Sequence, residues 1–247
     1  MEDVLVIRHD GLVEIRLNRP AKKNALTNAM YGAMADTLEI AEKDVSARAV
    51  LLSAEGDIFC AGSDLADFAA FASGAAGEGL RNVERFVRAL VTTEKPVIAA
   101  VAGDGIGIGL TMLLHCDAVI VAEDARLMAP FTGLGLTPEA ASSLLLPARI
   151  GHPRAYAMLA LGQAVSGKDA AQIGLATAAV PRSEVEAQAR KLADECCARP
   201  AEAMRITKRL LKDREAILAR MEKEGVYFRE RLASPEARAA FEAFFKR

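Results

Sequence analysis

Apolar and polar positions alternate at the start of the chain. Val4 and Val6, then Val13, Ile15 and Leu17, fall at period two on either side of Asp10-Gly11, which predicts a β-hairpin turning at the Asp-Gly pair. Asn18-Arg19-Pro20 ends the second strand. From Thr27 the period changes. Met30, Met34, Leu38 and Ala41 share one helical face, and Thr27 stands where an N-cap belongs. Three short apolar runs, Ala49–Ser53, Val97–Val101 and Asp117–Ala122, read as buried strands, and helices are expected over Val83–Thr92 and near Leu110–His115. The order strand, helix, strand, helix, strand predicts stacked βαβ units with parallel strands, an α/β fold.

After Pro138 the pattern is helical throughout. Helices are expected over Pro138–Ala148, Pro153–Leu161, Gly167–Ile173, Ser183–Ala198, Ala201–Asp213 and Arg214–Leu232. A last one should start at Ser234-Pro235-Glu236, where Ser caps and Pro takes the first helical position. Residues 66–82 are rich in small residues with three glycines, and suggest a mobile segment, either a lid over a site or a plain surface loop. No internal repeat and no low-complexity tract interrupts the chain.

A length of 247 residues with 52% hydrophobic positions suits one large domain, or one domain with a small appendage. The formal net charge of −2 gives no nucleic-acid footprint, although a local basic patch for a small anionic ligand is compatible with it. The four cysteines, Cys60, Cys116, Cys196 and Cys197, form no CxxC pair, and with three histidines they offer no metal site. Free thiols fit a reducing cytoplasm, and high Ala and Arg usage fits a bacterial gene. The acidic start is no signal peptide, no apolar stretch reaches membrane-spanning length, and Phe-Phe-Lys-Arg is no peroxisomal signal.

Two glycine-bearing turns carry the candidate chemistry. Phe59-Cys60-Ala61-Gly62-Ser63-Asp64-Leu65 follows the strand Ala49–Ser53, and Gly103-Asp104-Gly105-Ile106-Gly107-Ile108-Gly109 joins a strand to a helix. Glycines let backbone N–H groups turn toward a ligand, and N–H groups at a helix start attract negative charge. One N–H from each turn could hold the oxygen of a polarised carbonyl. A phosphate site in the second turn, or a purely structural role for both, is the competing reading; no Gly-Lys-Ser/Thr follows the turn.

Taken together and in order, three motifs resemble the crotonase (enoyl-CoA hydratase/isomerase) superfamily. Asn18-Arg19-Pro20-Ala21-Lys22-Lys23-Asn24-Ala25-Leu26 is similar to the family's N-R-P-x-x-x-N-A-L. Phe59 through Leu65 is similar to its F-x-A-G-x-D-L. Ala100-Val101-Ala102-Gly103 through Cys116-Asp117 is similar to its A-V-N-G-x-x-x-G-x-G…C-D, with Ala102 in place of the usual Asn. The resemblance covers almost the whole chain. It implies a crotonase-type stacked βαβ spiral core with a helical C-terminal region, here divided at residues 1–190 and 191–247, the second part serving trimerisation. It implies an oxyanion hole from the backbone N–H groups of Ser63 and Ile108. Lys22, Lys23, Ala25, Ala61, Asp64 and Leu65 would lie along a CoA groove. An acyl-CoA thioester would be the substrate, with no further cofactor, and a homotrimer or dimer of trimers the assembly.

The departures from the family pattern bear on the reaction. Where a hydratase of this family carries its two glutamates, this chain has Thr111 and Phe131, and no Asp or Glu occurs in 105–114 or 125–138. Hydration needs two acid/base groups flanking a water. The next carboxylate is Glu139, in Leu134-Gly135-Leu136-Thr137-Pro138-Glu139-Ala140-Ala141-Ser142-Ser143, which resembles the L-G-x-x-P-E-G/A-x-S-S of peroxisomal-type 3-enoyl-CoA to 2-enoyl-CoA isomerases. In that branch one glutamate is the sole base. Thr137-Pro138-Glu139 also reads as an N-cap, N1, N2 sequence, in which the acid would merely answer the helix dipole. An apolar wall of Phe131, Phe68, Leu134 or Phe71 would raise the pKa of Glu139 toward neutrality.

Asp67 is a second candidate base, pointing in from the 66–82 segment. Asp64 and Asp104 read as turn-stabilising residues, and His115 as a satisfied core residue. The expected activity is isomerisation of 3-enoyl-CoA to 2-enoyl-CoA. Hydratase or another acyl-CoA lyase or hydrolase reaction of the same fold is the alternative, and a non-catalytic acyl-CoA-binding protein is the alternative of another class.

Overall fold

The computed structural model of this chain describes residues 2–64, 67 and 81–245. In chain order the strands are β1 (Val4–His9), β2 (Leu12–Leu17), β3 (Ala49–Ala54), β4 (Ile58–Cys60), β5 (Val97–Val101), β6 (Asp104–Ile106), β7 (Ala118–Ala122), β8 (Arg126–Met128), β9 (Val165–Ser166) and β10 (Ala178–Val180). The helices among the described residues are α1 (Asn28–Lys43), α2 (Arg81–Thr92), α3 (Ile108–Thr111, continued by a 3₁₀ turn over Met112–His115), α4 (Ser142–Ile150), α5 (His152–Leu161), α6 (Gly167–Gln172), α7 (Val185–Ala198), α8 (Ala201–Leu211), α9 (Arg214–Leu232) and α10 (Pro235–Phe245).

The predicted hairpin forms, with Val4 opposite Leu17 and His9 opposite Leu12. It leads into a six-stranded sheet in the order β1-β2-β3-β5-β7-β10, parallel from β2 onward. Every residue of β3 and of β5 is buried, as expected of parallel strands covered on both faces. Helix α7 packs across β3, β5 and β7 and runs unbroken through residues 190–191. Helix α1 starts as its sequence predicts, with Thr27 Oγ1 accepting from Met30 N. It buries Met30, Tyr31, Met34 and Leu38 against α2, each side chain contributing about 1.5–3 kcal/mol. The expected mixed α/β architecture of parallel strands with a helical C-terminus is present.

Three features differ from expectation. A second sheet, β4-β6-β8-β9, is built from pieces of two or three residues, too short to show a period. The region after Pro138 is not purely helical, since Val165–Ser166 joins that sheet and Ala178–Val180 joins the main one beside β7. The helix expected over Pro138–Ala148 begins only at Ser142, because Ala140 and Ala141 both take φ 55°, a left-handed conformation that breaks the helix before it. The 66–82 segment, except Asp67, Arg81 and Asn82, lies outside the described residues.

Candidate active site

The second sheet holds the two glycine turns side by side. Strands β4 and β6 are parallel neighbours, so the turns that follow them emerge together. A Cβ placed on Gly109 would lie 2.5 Å from the Cys60 carbonyl oxygen, so only glycine lets the two segments approach this closely. Gly107 takes φ 58°, ψ −120°, a conformation open to glycine alone.

Each turn leaves one backbone N–H group without a partner among the described residues. Leu26 N donates to Gly62 O and Asp64 N donates to Leu26 O, each at 2.8 Å. Because backbone groups alternate along an extended strand, the intervening Ser63 N–H points the other way. Ile108 N–H opens α3, where the first N–H groups have no intrahelical partner. Among the described residues neither N–H has an acceptor, and both residues line one cavity of about 930 Å³. Unpaired N–H groups that share one cavity can, where they converge, hold a carbonyl oxygen on which negative charge develops.

The loop at residues 18–26 braces the first turn. Asn24 is fully buried; its Oδ1 accepts from Arg19 N at 2.8 Å, and its Nδ2 donates to Glu55 O and Ile58 O. Arg19 Nη1 pairs with Asp64 Oδ2 at 2.8 Å, and Ala61 N donates to Lys23 O at 3.0 Å. Ala61 lines the cavity, whereas Asp64 is held on Arg19, Ala25 is half-buried, and Lys22 and Lys23 are exposed beyond the cavity wall. Leu65 lies outside the described residues, as do Phe68 and Phe71.

The cavity is walled by Val83, Val87, Met128, Phe131, Leu136 and Met221, among others. Three described carboxylates line it. Glu84 and Glu222 are exposed and face Arg88 at 3.7 and 3.8 Å. Glu139 is the inner one. Burial pushes its carboxyl up to about 8; the hydroxyl hydrogen that Thr111 donates to Oε1 opposes this shift, and the carboxylate of Glu224 adds to it. Phe131 and Leu134 do line the cavity, as an apolar wall for Glu139 requires.

Glu139 is not in a helix, so Thr137 is no N-cap and the dipole reading of Thr137-Pro138-Glu139 does not hold. The turn after it is fastened by a buried histidine, His115 Nε2 donating to Ala140 O at 2.8 Å. Burial holds the pKa of His115 down to about 3, so the ring is neutral and acts as a clamp. Asp67 accepts from Asn28 N at 2.8 Å, which places its carboxylate at the start of α1. Asp104 accepts from Arg126 N at 2.8 Å and so steadies the second turn. Burial pushes the Cys60 and Cys116 thiols up to about 12, so neither is a thiolate nucleophile at neutral pH.

Two contributors were not legible in the sequence. Tyr31, fully buried on α1, hydrogen-bonds its hydroxyl to Ser63 Oγ at 2.7 Å and so braces the first glycine turn. Helix α9 lends Met221, Gly225 and Phe228 to the cavity. No cluster of His, Cys, Asp or Glu among the described residues could hold a metal ion.

The family model described as enoyl-CoA hydratase/isomerase matches residues 8–244. Enoyl-CoA delta isomerase 2 of Rattus norvegicus is 33% identical over 249 residues, covering 99% of this chain and 63% of that protein. The chain therefore spans less than two thirds of this relative. Among solved structures, OdaA of Pseudomonas aeruginosa is 44% identical with a TM-score of 0.95 and full coverage of both chains. An enoyl-CoA hydratase/isomerase from Pseudoalteromonas atlantica T6c is 40% identical with a TM-score of 0.93, covering 99% of this chain and 97% of that one.

Proposed function

The chain belongs to the enoyl-CoA hydratase/isomerase family, and we propose that within it the protein isomerises 3-enoyl-CoA to 2-enoyl-CoA thioesters with Glu139 as the sole base. The observation that carries this reading is the placement of Glu139: of the three described carboxylates that line the cavity it alone is not exposed, and it accepts from the Thr111 hydroxyl, while burial raises its pKa to about 8. A group that takes a proton from one carbon and returns it to another works best with a pKa near the working pH.

The chemistry follows. The thioester oxygen sits between Ser63 N–H and Ile108 N–H. Glu139 removes a proton from C2, and the electron pair moves onto the thioester oxygen as a dienolate. The two N–H groups stabilise that charge, which is larger in the transition state than in the substrate. The protonated Glu139 then donates to C4, and the double bond rests between C2 and C3. The base ends as it began, and no water is consumed. Lys22, Lys23, Ala25, Ala61, Asp64 and Leu65 would border the path of the CoA moiety.

Addition of water would need a second acid/base group, and Thr111 and Phe131 supply none. The reading is tested by matched assays of a 3-enoyl-CoA and a 2-enoyl-CoA of equal chain length. Faster turnover of the 3-enoyl substrate supports it; hydration of the 2-enoyl substrate at the higher rate would reassign the enzyme. The proposal includes self-association, as a homotrimer or dimer of trimers. Leu210 and Leu211 on α8 are 82% and 83% exposed, adjacent apolar side chains that such an interface would cover. It also includes a cytoplasmic setting; no described helix is long and apolar enough to cross a membrane.

A further inference from the structure

Helix α4 begins directly behind Glu139 and has no cap of its own. Its N-cap position is Ala141, whose side chain has no acceptor, and the two residues between Glu139 and the helix are both non-glycine residues at φ 55°. Such residues carry strain and persist only where the surroundings fix them. The helix is also short, nine residues, so its first turn depends on an outside partner for its unpaired N–H groups.

That partner comes from far along the chain. Glu224, on α9, is 6% exposed, and its Oε1 accepts from Ser143 N at 2.9 Å. Arg220, one turn earlier on α9, donates to Ser143 Oγ at 3.1 Å. Burial raises the Glu224 carboxyl, while the Ser143 hydroxyl and the Ser143 and Ala141 backbone N–H groups favour its charged form. An anion seated on a helix start is the geometry the helix dipole favours. The same helix lends Met221, Gly225 and Phe228 to the cavity, so the element that shapes the acyl pocket also touches the base's support.

We propose that Glu224 is a positioning residue for the reaction, capping α4 across the fold so that the strained turn at Ala140-Ala141 holds the Glu139 carboxylate at the reacting carbons. His115 fixes the turn at Ala140 O and Glu224 fixes it at Ser143 N. Removal of either should let the carboxylate drift without opening the oxyanion hole, which belongs to other elements. The proposal rests on the reading of Glu139 as the base.

The test is steady-state turnover of a 3-enoyl-CoA by Glu224→Ala, Glu224→Gln and Glu224→Asp, with Glu139→Gln beside them. Gln keeps an acceptor at the Oε1 position, whereas Asp keeps the charge but falls short of Ser143 N. Glu224→Ala should lower kcat by about tenfold with KM changed less than about threefold, the pattern of a displaced reacting group. Glu224→Gln should recover kcat to within about threefold of wild type, and Asp should not. A folded Glu224→Ala with wild-type kcat would overturn the proposal. Where Glu224→Ala does not fold, the other two decide: Gln above Asp supports the cap, and Asp equal to or above Gln overturns it. Retained turnover in Glu139→Gln would instead overturn the assignment of the base, a separate outcome.

Discussion

Thr111 donates its hydroxyl hydrogen to Glu139 Oε1. Thr111, at the position where the family resemblance implies a hydratase glutamate, is a neutral group in contact with Glu139. A hydrogen bond to a carboxylate favours its charged form, so Thr111 moderates the effect of burial and keeps Glu139 within reach of neutral pH.

Thr111→Val should therefore move Glu139 further up. Loss of one hydrogen bond to a charged group corresponds to about one pH unit, and in the pH profile of kcat/KM the acidic limb should shift upward by that amount. The plateau at high pH should stay within about threefold of wild type. A limb that stays in place would mean that the contact does not stabilise the ionised base.

The wild-type profile itself follows from the same carboxyl. As the proposed base Glu139 would act when deprotonated, so kcat/KM should rise through about pH 8 and level off above it. Stability should run the other way. The folded pKa of about 8 lies above the ordinary 4.5, so this group's contribution to folding is fully present below pH 4.5 and is lost as pH rises through about 8. The melting temperature of Glu139→Gln relative to wild type should accordingly increase between pH 5 and pH 9. A difference that is flat across that range would contradict the raised pKa.

Much of this was readable in the sequence, for reasons specific to each element. The hairpin, the Thr27 cap and the buried strands Ala49–Ser53 and Val97–Val101 announce themselves by period, cap chemistry and apolar runs. The glycines of the two turns mark where backbones approach each other. What escaped was short or distant. Ile58–Cys60, Asp104–Ile106 and Arg126–Met128 are three-residue strands with no room for a period, yet they carry the turns. Thr137-Pro138-Glu139 imitates a helix start, and nothing in the composition of Ala140-Ala141 signals two left-handed residues. The contact of Glu224 with Ser143 and that of Tyr31 with Ser63 join elements that only folding brings together.

The exposed pair Leu210 and Leu211 gives a prediction about assembly. Light scattering at micromolar concentration should give the mass of a trimer or a hexamer. The double substitution Leu210→Glu with Leu211→Glu should lower that mass toward one chain while leaving the circular dichroism spectrum intact. A wild-type protein that is monomeric under these conditions would contradict the expectation. Phe241 is buried within the chain and should not contribute to it.

The role of Glu139 is tested most directly by the turnover of a 3-enoyl-CoA by Glu139→Gln, measured with a melting curve and a CoA-ligand binding isotherm on the same preparation. Gln keeps the size of the side chain and can still accept from Thr111, but it cannot take up a proton. The kcat should fall by at least about 10²-fold, the usual scale for a lost general base. The melting temperature should be unchanged or raised and ligand affinity little altered, since the proposed contacts of the CoA moiety lie elsewhere. Isomerisation by Glu139→Gln near the wild-type rate would remove Glu139 from the mechanism.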